Sequence, residues 1–157
     1  MGHQSQMTAL FRAFLGAGIG SIGVQTYDTL PDNDDITLTA HATADTEGDY
    51  VTIISTVGGS RVWLCGQMLS NPLVTLVAND WKVTIATGAS GSETVRIVTP
   101  FQNGAFATTQ DGLLGQFYTF PFPLHLPSGT RLAGRAKTGS SGADTIDIVV
   151  FHALSLL

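Results

Sequence analysis

Phe120-Pro121-Phe122-Pro123-Leu124-His125-Leu126-Pro127-Ser128-Gly129-Thr130-Arg131-Leu132-Ala133-Gly134-Arg135-Ala136-Lys137 is the stretch that decides the fold. Pro121, Pro123 and Pro127 forbid a helix and limit backbone pairing to one edge. Apolar residues alternate at Phe120, Phe122, Leu124 and Leu126, and follow at Leu132, Ala133 and Ala136. Pro127-Ser-Gly-Thr130 is a turn signal, with proline fixing one φ and glycine free to take a positive one. The reading is an extended, proline-rich segment that turns sharply into a strand carrying Arg131, Arg135 and Lys137. It describes a β-protein with a shaped surface loop.

Outward from there, strand signals of period two recur from Ile36 to the end. The candidate strands are 36–42, 50–57, 61–67, 73–78, 81–87, 93–99, 114–120, 130–137 and 145–153. Clusters such as Gly58-Gly-Ser60, Asn79-Asp80, Gly88-Ala-Ser-Gly-Ser92 and Gly139-Ser-Ser-Gly142 separate them. Tyr27 to Asp35 reads as a loop. Short strands at this spacing predict an all-β chain, a β-sandwich wired as a jelly roll or Greek key. The last strand is the clearest. Ile146, Ile148 and Val150 should face the core. Thr145, Asp147, Val149 and Phe151 should face the other way, wet near Asp147 and covered near Phe151.

Before the strands lies a different texture, so the chain divides into an arm, 1–25, and a sandwich domain, 26–157. Thr8 to Leu15 predicts a short helix with Leu10, Phe11, Phe14 and Leu15 on one face, capped by Thr8 and stopped by Gly16. Gly16 to Gly23 follows, with Ile19 and Ile22 between glycines. Two readings stay open: an arm lying on another surface, or a helix plugging one end of its own core.

Composition narrows the function. The chain has 157 residues, one domain's length, enough to bury roughly 70% of the unfolded surface. Only 12% of residues are charged, against about 25% in ordinary domains. A chain so poor in charges is expected to have part of its surface covered by other subunits. Net charge is −5 and the basic residues look scattered along the chain, which argues against nucleic-acid binding. Cys65 is the lone cysteine, so no intrachain disulfide can form, and its apolar neighbours predict a buried thiol in a reducing compartment. Met7 to Val24 is broken by Arg12 and small residues, which excludes a membrane span. The start, MGHQSQ, lacks a basic signal region, and the expectation is a cytosolic product with an intact N-terminus.

Catalytic motifs are sought without success. Gly18-Ile-Gly-Ser-Ile-Gly23 matches GxGxxG, but a helix signal precedes it and a loop follows, the reverse of what a phosphate site needs. His3, His41, His125 and His152 sit at no ligand spacing; His125 reads as a partly buried loop residue. Asp32-Asn-Asp-Asp35 lacks the glycine and closing glutamate of a calcium loop. No GxSxG elbow occurs. The expectation is no enzyme, no cofactor and no metal. What remains is aromatic: Phe101, Phe106, Phe117, Tyr118, Phe120 and Phe122 crowd a loop-rich segment, more than one loop can bury. Sugar-binding surfaces and subunit interfaces both use such residues; subunit contact is the favoured reading. Phe101, Phe106, Phe117, Tyr118, Phe122 and Phe151, with Leu10, Phe11, Phe14, Leu15, Ile19 and Ile22 of the arm, are the candidate contacts.

Three segments carry a resemblance: Trp81-Lys-Val-Thr-Ile-Ala-Thr-Gly-Ala-Ser-Gly-Ser-Glu93, then Phe120 to Ala136, then Ala143-Asp-Thr-Ile-Asp-Ile-Val-Val150. With the runs G-A-x-G-S-E and P-x-G-T-R-L-A-x-R in that order, residues 81–152 resemble small virion proteins of tailed bacteriophages. The first half departs from that pattern. The resemblance implies a jelly-roll domain on the particle, a capsid decoration or cement protein. It would assemble in the host cytoplasm and sit as a homotrimer on the major capsid protein. The alternatives are a tail- or fibre-associated carbohydrate-binding or host-binding module, and a small cupin-like enzyme.

Overall fold

A computed structural model describes residues 27–30, 35–58, 62–70, 79–103 and 116–153. Nine strands appear among them: β1 Tyr27–Leu30, β2 Ile36–Thr39, β3 Val51–Ile54, β4 Val62–Ser70, β5 Asn79–Thr87, β6 Thr94–Asn103, β7 Gln116–Leu126, β8 Leu132–Thr138 and β9 Thr145–Ala153. The helix expected at 8–15, the strand at 73–78 and the contacts Leu10, Phe11, Phe14, Leu15, Ile19, Ile22 and Phe106 lie outside the described residues.

The pairing explains the architecture. β5 pairs β6, β4 pairs β7, β3 pairs β8 and β2 pairs β9, all antiparallel. The chain is thus one long hairpin whose centre is the β5–β6 turn. Rolling that hairpin sends successive pairs alternately to two sheets, β1-β9-β4-β7 with β2 also on β9, and β3-β8-β5-β6. Nested pairs divided this way are the jelly roll, as the period-two pattern anticipated. At the central turn Gly88 and Gly91 hold φ of 121° and 82°, a backbone that only glycine adopts readily.

The two sheets share one core. Leu38, Leu64, Leu69, Ile85, Leu132 and Ile148 are fully buried in it, each contributing about 2 kcal/mol of apolar transfer. Gly134 on β8 is what lets the sheets close at the β2 side. A Cβ there would meet Ile53 Cδ1 at 3.2 Å and both Leu38 methyls at 3.3 Å. β9 behaves as its alternation predicts, with Ile146, Ile148 and Val150 fully buried. Its other face is half-buried at Asp147 and covered at Val149 and Phe151, within a single chain.

Four local expectations need correction. Tyr27–Leu30 is a strand, not a loop: it pairs Ala153 through Val150 of β9. The proline segment is itself strand, because β7 runs unbroken to Leu126. Prolines are tolerated there because β7 is an edge, pairing β4 alone. Its register also breaks: β4 residues Leu64 and Gly66 face Leu124 and Thr119, so four β7 residues stand opposite Cys65. Phe120 to Pro123 therefore arch away from the ladder, and Phe122 leaves the inward alternation. His125 is an exposed strand residue, and Cys65 is only partly buried, its Sγ 3.4 Å from the Trp63 carbonyl oxygen.

Candidate interaction surface

Strands at the edge of a sheet expose unpaired backbone, and what surrounds that backbone decides what can dock. On one flank of the sandwich the edges are β6 and β7. They belong to opposite sheets, and β4, the neighbour of β7, is tied across the core to β6 by Gln67 Nε2, which donates to Thr99 Oγ1 at 2.6 Å. Among the described residues, the large hydrophobic side chains left exposed are Val95 (47%), Val98 (44%) and Phe122 (82%). All three lie on these two strands.

Local geometry puts them outside. The β5–β6 register slips where Ile85 faces Ile97 but Ala86 faces Val95, leaving Arg96 opposite no residue. This bulge turns the start of β6 outward. Val98 lies on the outer face, opposite Thr84. Phe122 stands on the β7 arch between two prolines. Proline lacks the N–H a ladder needs, and Pro100 interrupts β6 likewise. The flank thus offers side chains rather than a continuous backbone edge.

Arg96 is held in a fixed pose. Its Nε donates to Thr87 Oγ1 at 2.9 Å, and no carboxylate among the described residues pairs with it. It borders a cleft of about 610 Å³ lined also by Ser55, Thr94, Pro127 and Thr130, without an acidic residue. Arg131 lines it too but is neutralised: Nη1 lies 2.9 Å from Glu93 Oε1, and Nε donates to Thr52 Oγ1 at 3.0 Å. Burial pushes the Glu93 carboxyl up, but the Arg131 hydrogen bond and the Glu93 and Gly91 amides outweigh it, and the pKa is lowered. Nearby on the outer face of the other sheet, the Trp63 and His125 rings lie 4.7 Å apart.

The opposite flank is different. Residues 40–50 form a strap alongside β8, where the Asp45 and Gly48 amides donate to Thr138 and Ala136 oxygens at 2.9 and 2.8 Å. Glu47 reaches Arg135 at 3.5 Å, Asp45 reaches Lys137 at 3.9 Å, and Arg135 sits 4.5 Å over the Tyr50 ring. On the neighbouring sheet Asp147 accepts from Thr37 Oγ1 at 2.7 Å. Burial, joined by the charge of Asp35 and only partly relieved by that hydroxyl, raises its pKa.

The expected contacts divide on this map. Phe122 is exposed, and Tyr118 is partly buried against the core, where burial raises its phenol pKa. Phe101 and Phe151 are 3% exposed, inside the chain's own packing. Phe117 lies on β7. Val95, Arg96 and Val98 went unnoticed in the sequence. Their one signal was Val98, an apolar residue out of phase with Val95 and Ile97. Basic residues that look scattered are gathered by the fold: Lys82, Arg96, Arg131, Arg135 and Lys137 all lie on or beside the β3-β8-β5-β6 sheet, and Lys82 directly faces Lys137. Among the described residues, no three His, Cys, Asp or Glu side chains cluster as metal ligands.

No family model matches the chain, and no curated protein matches it. Two similar solved structures come from infectious bursal disease virus. One is the VP2 subviral particle, at TM-score 0.38 and 11% identity over 87% of this chain. The other is the Gt strain structure, at TM-score 0.37 and 13% identity over 82%. This chain spans 37% and 33% of those chains.

Proposed function

We propose that the protein is a structural component of a tailed-phage virion, a capsid decoration protein. It binds the major capsid protein as a homotrimer and acts without catalysis. The observation that supports this is the β6–β7 flank, where exposed Val95, Val98 and Phe122 collect on two edge strands. A jelly roll that exposes apolar side chains there is built to be covered. The mechanism is passive: a trimer spans several shell subunits, and each contact after the first is effectively intramolecular. The phage resemblance of residues 81–152 supplies the kind of particle.

Locating the protein on purified particles by imaging tests this reading. Removing residues 1–24 deletes no described strand and is expected to give a folded domain that no longer decorates shells. Normal decoration by that truncation would reject an anchoring arm, and absence from the shell would reject the reading itself. A second reading is favoured by Phe122 and by the Trp63–His125 pair on an outer face: a tail-associated module that stacks sugars on exposed aromatics. A glycan array on the purified chain separates the two.

A further inference from the structure

The two flanks of the sandwich are complementary to each other. One presents Val95 and Val98 on β6 and Phe122 on β7, together with Arg96 of β6, a guanidinium anchored through Nε and lacking a carboxylate partner among the described residues. The other is acidic. Of the eight acidic side chains described, six lie on it: Asp35, Asp45, Glu47, Asp49, Asp144 and Asp147. Its cations, Arg135 and Lys137, are already engaged by Glu47 and Asp45. Asp49 is exposed and carries no such pairing among the described residues.

We propose that the β6–β7 flank of one copy docks head-to-tail on the Asp35–Asp49 flank of a second copy. The inference rests on the self-association in the proposed function and names the surfaces that make it. An isologous contact would bring each flank against itself, apposing either the acidic groups or two Arg96 guanidinia. A heterologous one places the cation opposite the carboxylates. Arginine amid exposed apolar residues is the composition of an interface centre. Proline on both edge strands keeps the contact from becoming strand addition, so side chains carry it.

Mixing two broken variants of the full chain tests the geometry. Arg96→Glu with Val98→Asp disables the first flank; Asp35→Asn with Asp49→Asn disables the second, so that the two disabled flanks are not charge-complementary to each other. Circular dichroism checks that each variant folds, and the milder pair Arg96→Gln and Val98→Thr serves if the first does not. In sedimentation at low salt the unaltered chain should associate, and each variant should self-associate at least about tenfold more weakly. Equimolar mixing should then give a one-to-one dimer and nothing larger, because one intact interface remains per pair. A monomeric unaltered chain, undiminished association of either variant, or no dimer on mixing would each overturn the proposal. Decoration of shells by a protein that fails this test would leave the capsid reading standing.

Discussion

The β3-β8-β5-β6 sheet has two edges, built in opposite ways. At the β3 edge, the strap 45–48 continues the ladder along β8 and covers it with ion pairs and an Arg135–Tyr50 contact. At the β6 edge nothing comparable lies among the described residues; a bulge and Pro100 interrupt the backbone, and valines face outward. Both devices suppress random strand addition. They differ in what they leave behind. The first leaves a finished, solvated surface. The second leaves a surface whose apolar area still has to be covered.

If that contrast holds, substitution in the strap should cost folding free energy, and substitution on the open edge should not. Gly48→Ala is the strongest case. A Cβ at Gly48 would collide with the Thr39 carbonyl oxygen and lie 3.2 Å from that of Ala136, and both are backbone. The strap has to move, and its 2.8 Å bond to β8 goes with it. Urea unfolding should show a loss of about 3 kcal/mol. A loss below about 0.5 kcal/mol would mean that the strap is ornamental and that the closed edge is not closed.

Next comes the polar tie behind the open edge. Thr99→Val leaves the Gln67 amide buried without an acceptor, at a cost of about 2 kcal/mol. Gln67 Oε1 already lacks a partner. Removing both groups, Gln67→Leu with Thr99→Val, should recover most of that loss. Failure of the double variant to recover would show that the hydrogen bond itself, and not the desolvation of its parts, holds β4 to β6.

Two carboxylates sharpen the contrast by responding to pH in opposite directions. Glu93 has a lowered pKa, so it stabilises the fold above the usual carboxylate range and loses that contribution as pH falls through its depressed value. Asp147 has a raised pKa, so the fold keeps a proton that the unfolded chain releases, and stability falls as pH rises through that window. Glu93→Gln should therefore lower Tm at pH 7 and approach the parent in acid. Asp147→Asn should raise Tm at pH 7, with the gain vanishing in acid, since Asn Oδ1 can still accept from Thr37. A drop in Tm at pH 7 for Asp147→Asn would show that the acidic flank is not crowded.

How much of this was legible follows from the range of each interaction. β8 and β9 were readable because alternation is local: Ile146, Ile148 and Val150 declare their face within five residues. β1 was not, since Tyr27-Asp-Thr-Leu30 becomes a strand only through β9, more than a hundred residues on. The prolines of β7 pointed to an edge, as found. They could not reveal that register slippage would throw Phe122 outward while Phe120 and Leu124 stayed against the core. The basic residues looked scattered because β-pairing, which sets Lys82 beside Lys137, has no trace in sequence spacing. Phe101 and Phe151 look like contact residues when aromatics are merely counted; the fold places them inside.

The smallest expected effect on stability is the most telling one. Val98→Thr keeps the shape and the strand preference of valine while exchanging a methyl for a hydroxyl. At an exposed edge, that exchange should move the unfolding free energy of dilute protein by no more than about 0.5 kcal/mol. The same change should weaken self-association measurably, because the methyl it removes belongs to the covered patch. If Val98→Thr instead costs the dilute chain as much as a core substitution, Val98 is already packed by its own chain and the open edge is closed. If it alters neither quantity, the flank is exposed but idle, and the partner of this jelly roll binds elsewhere.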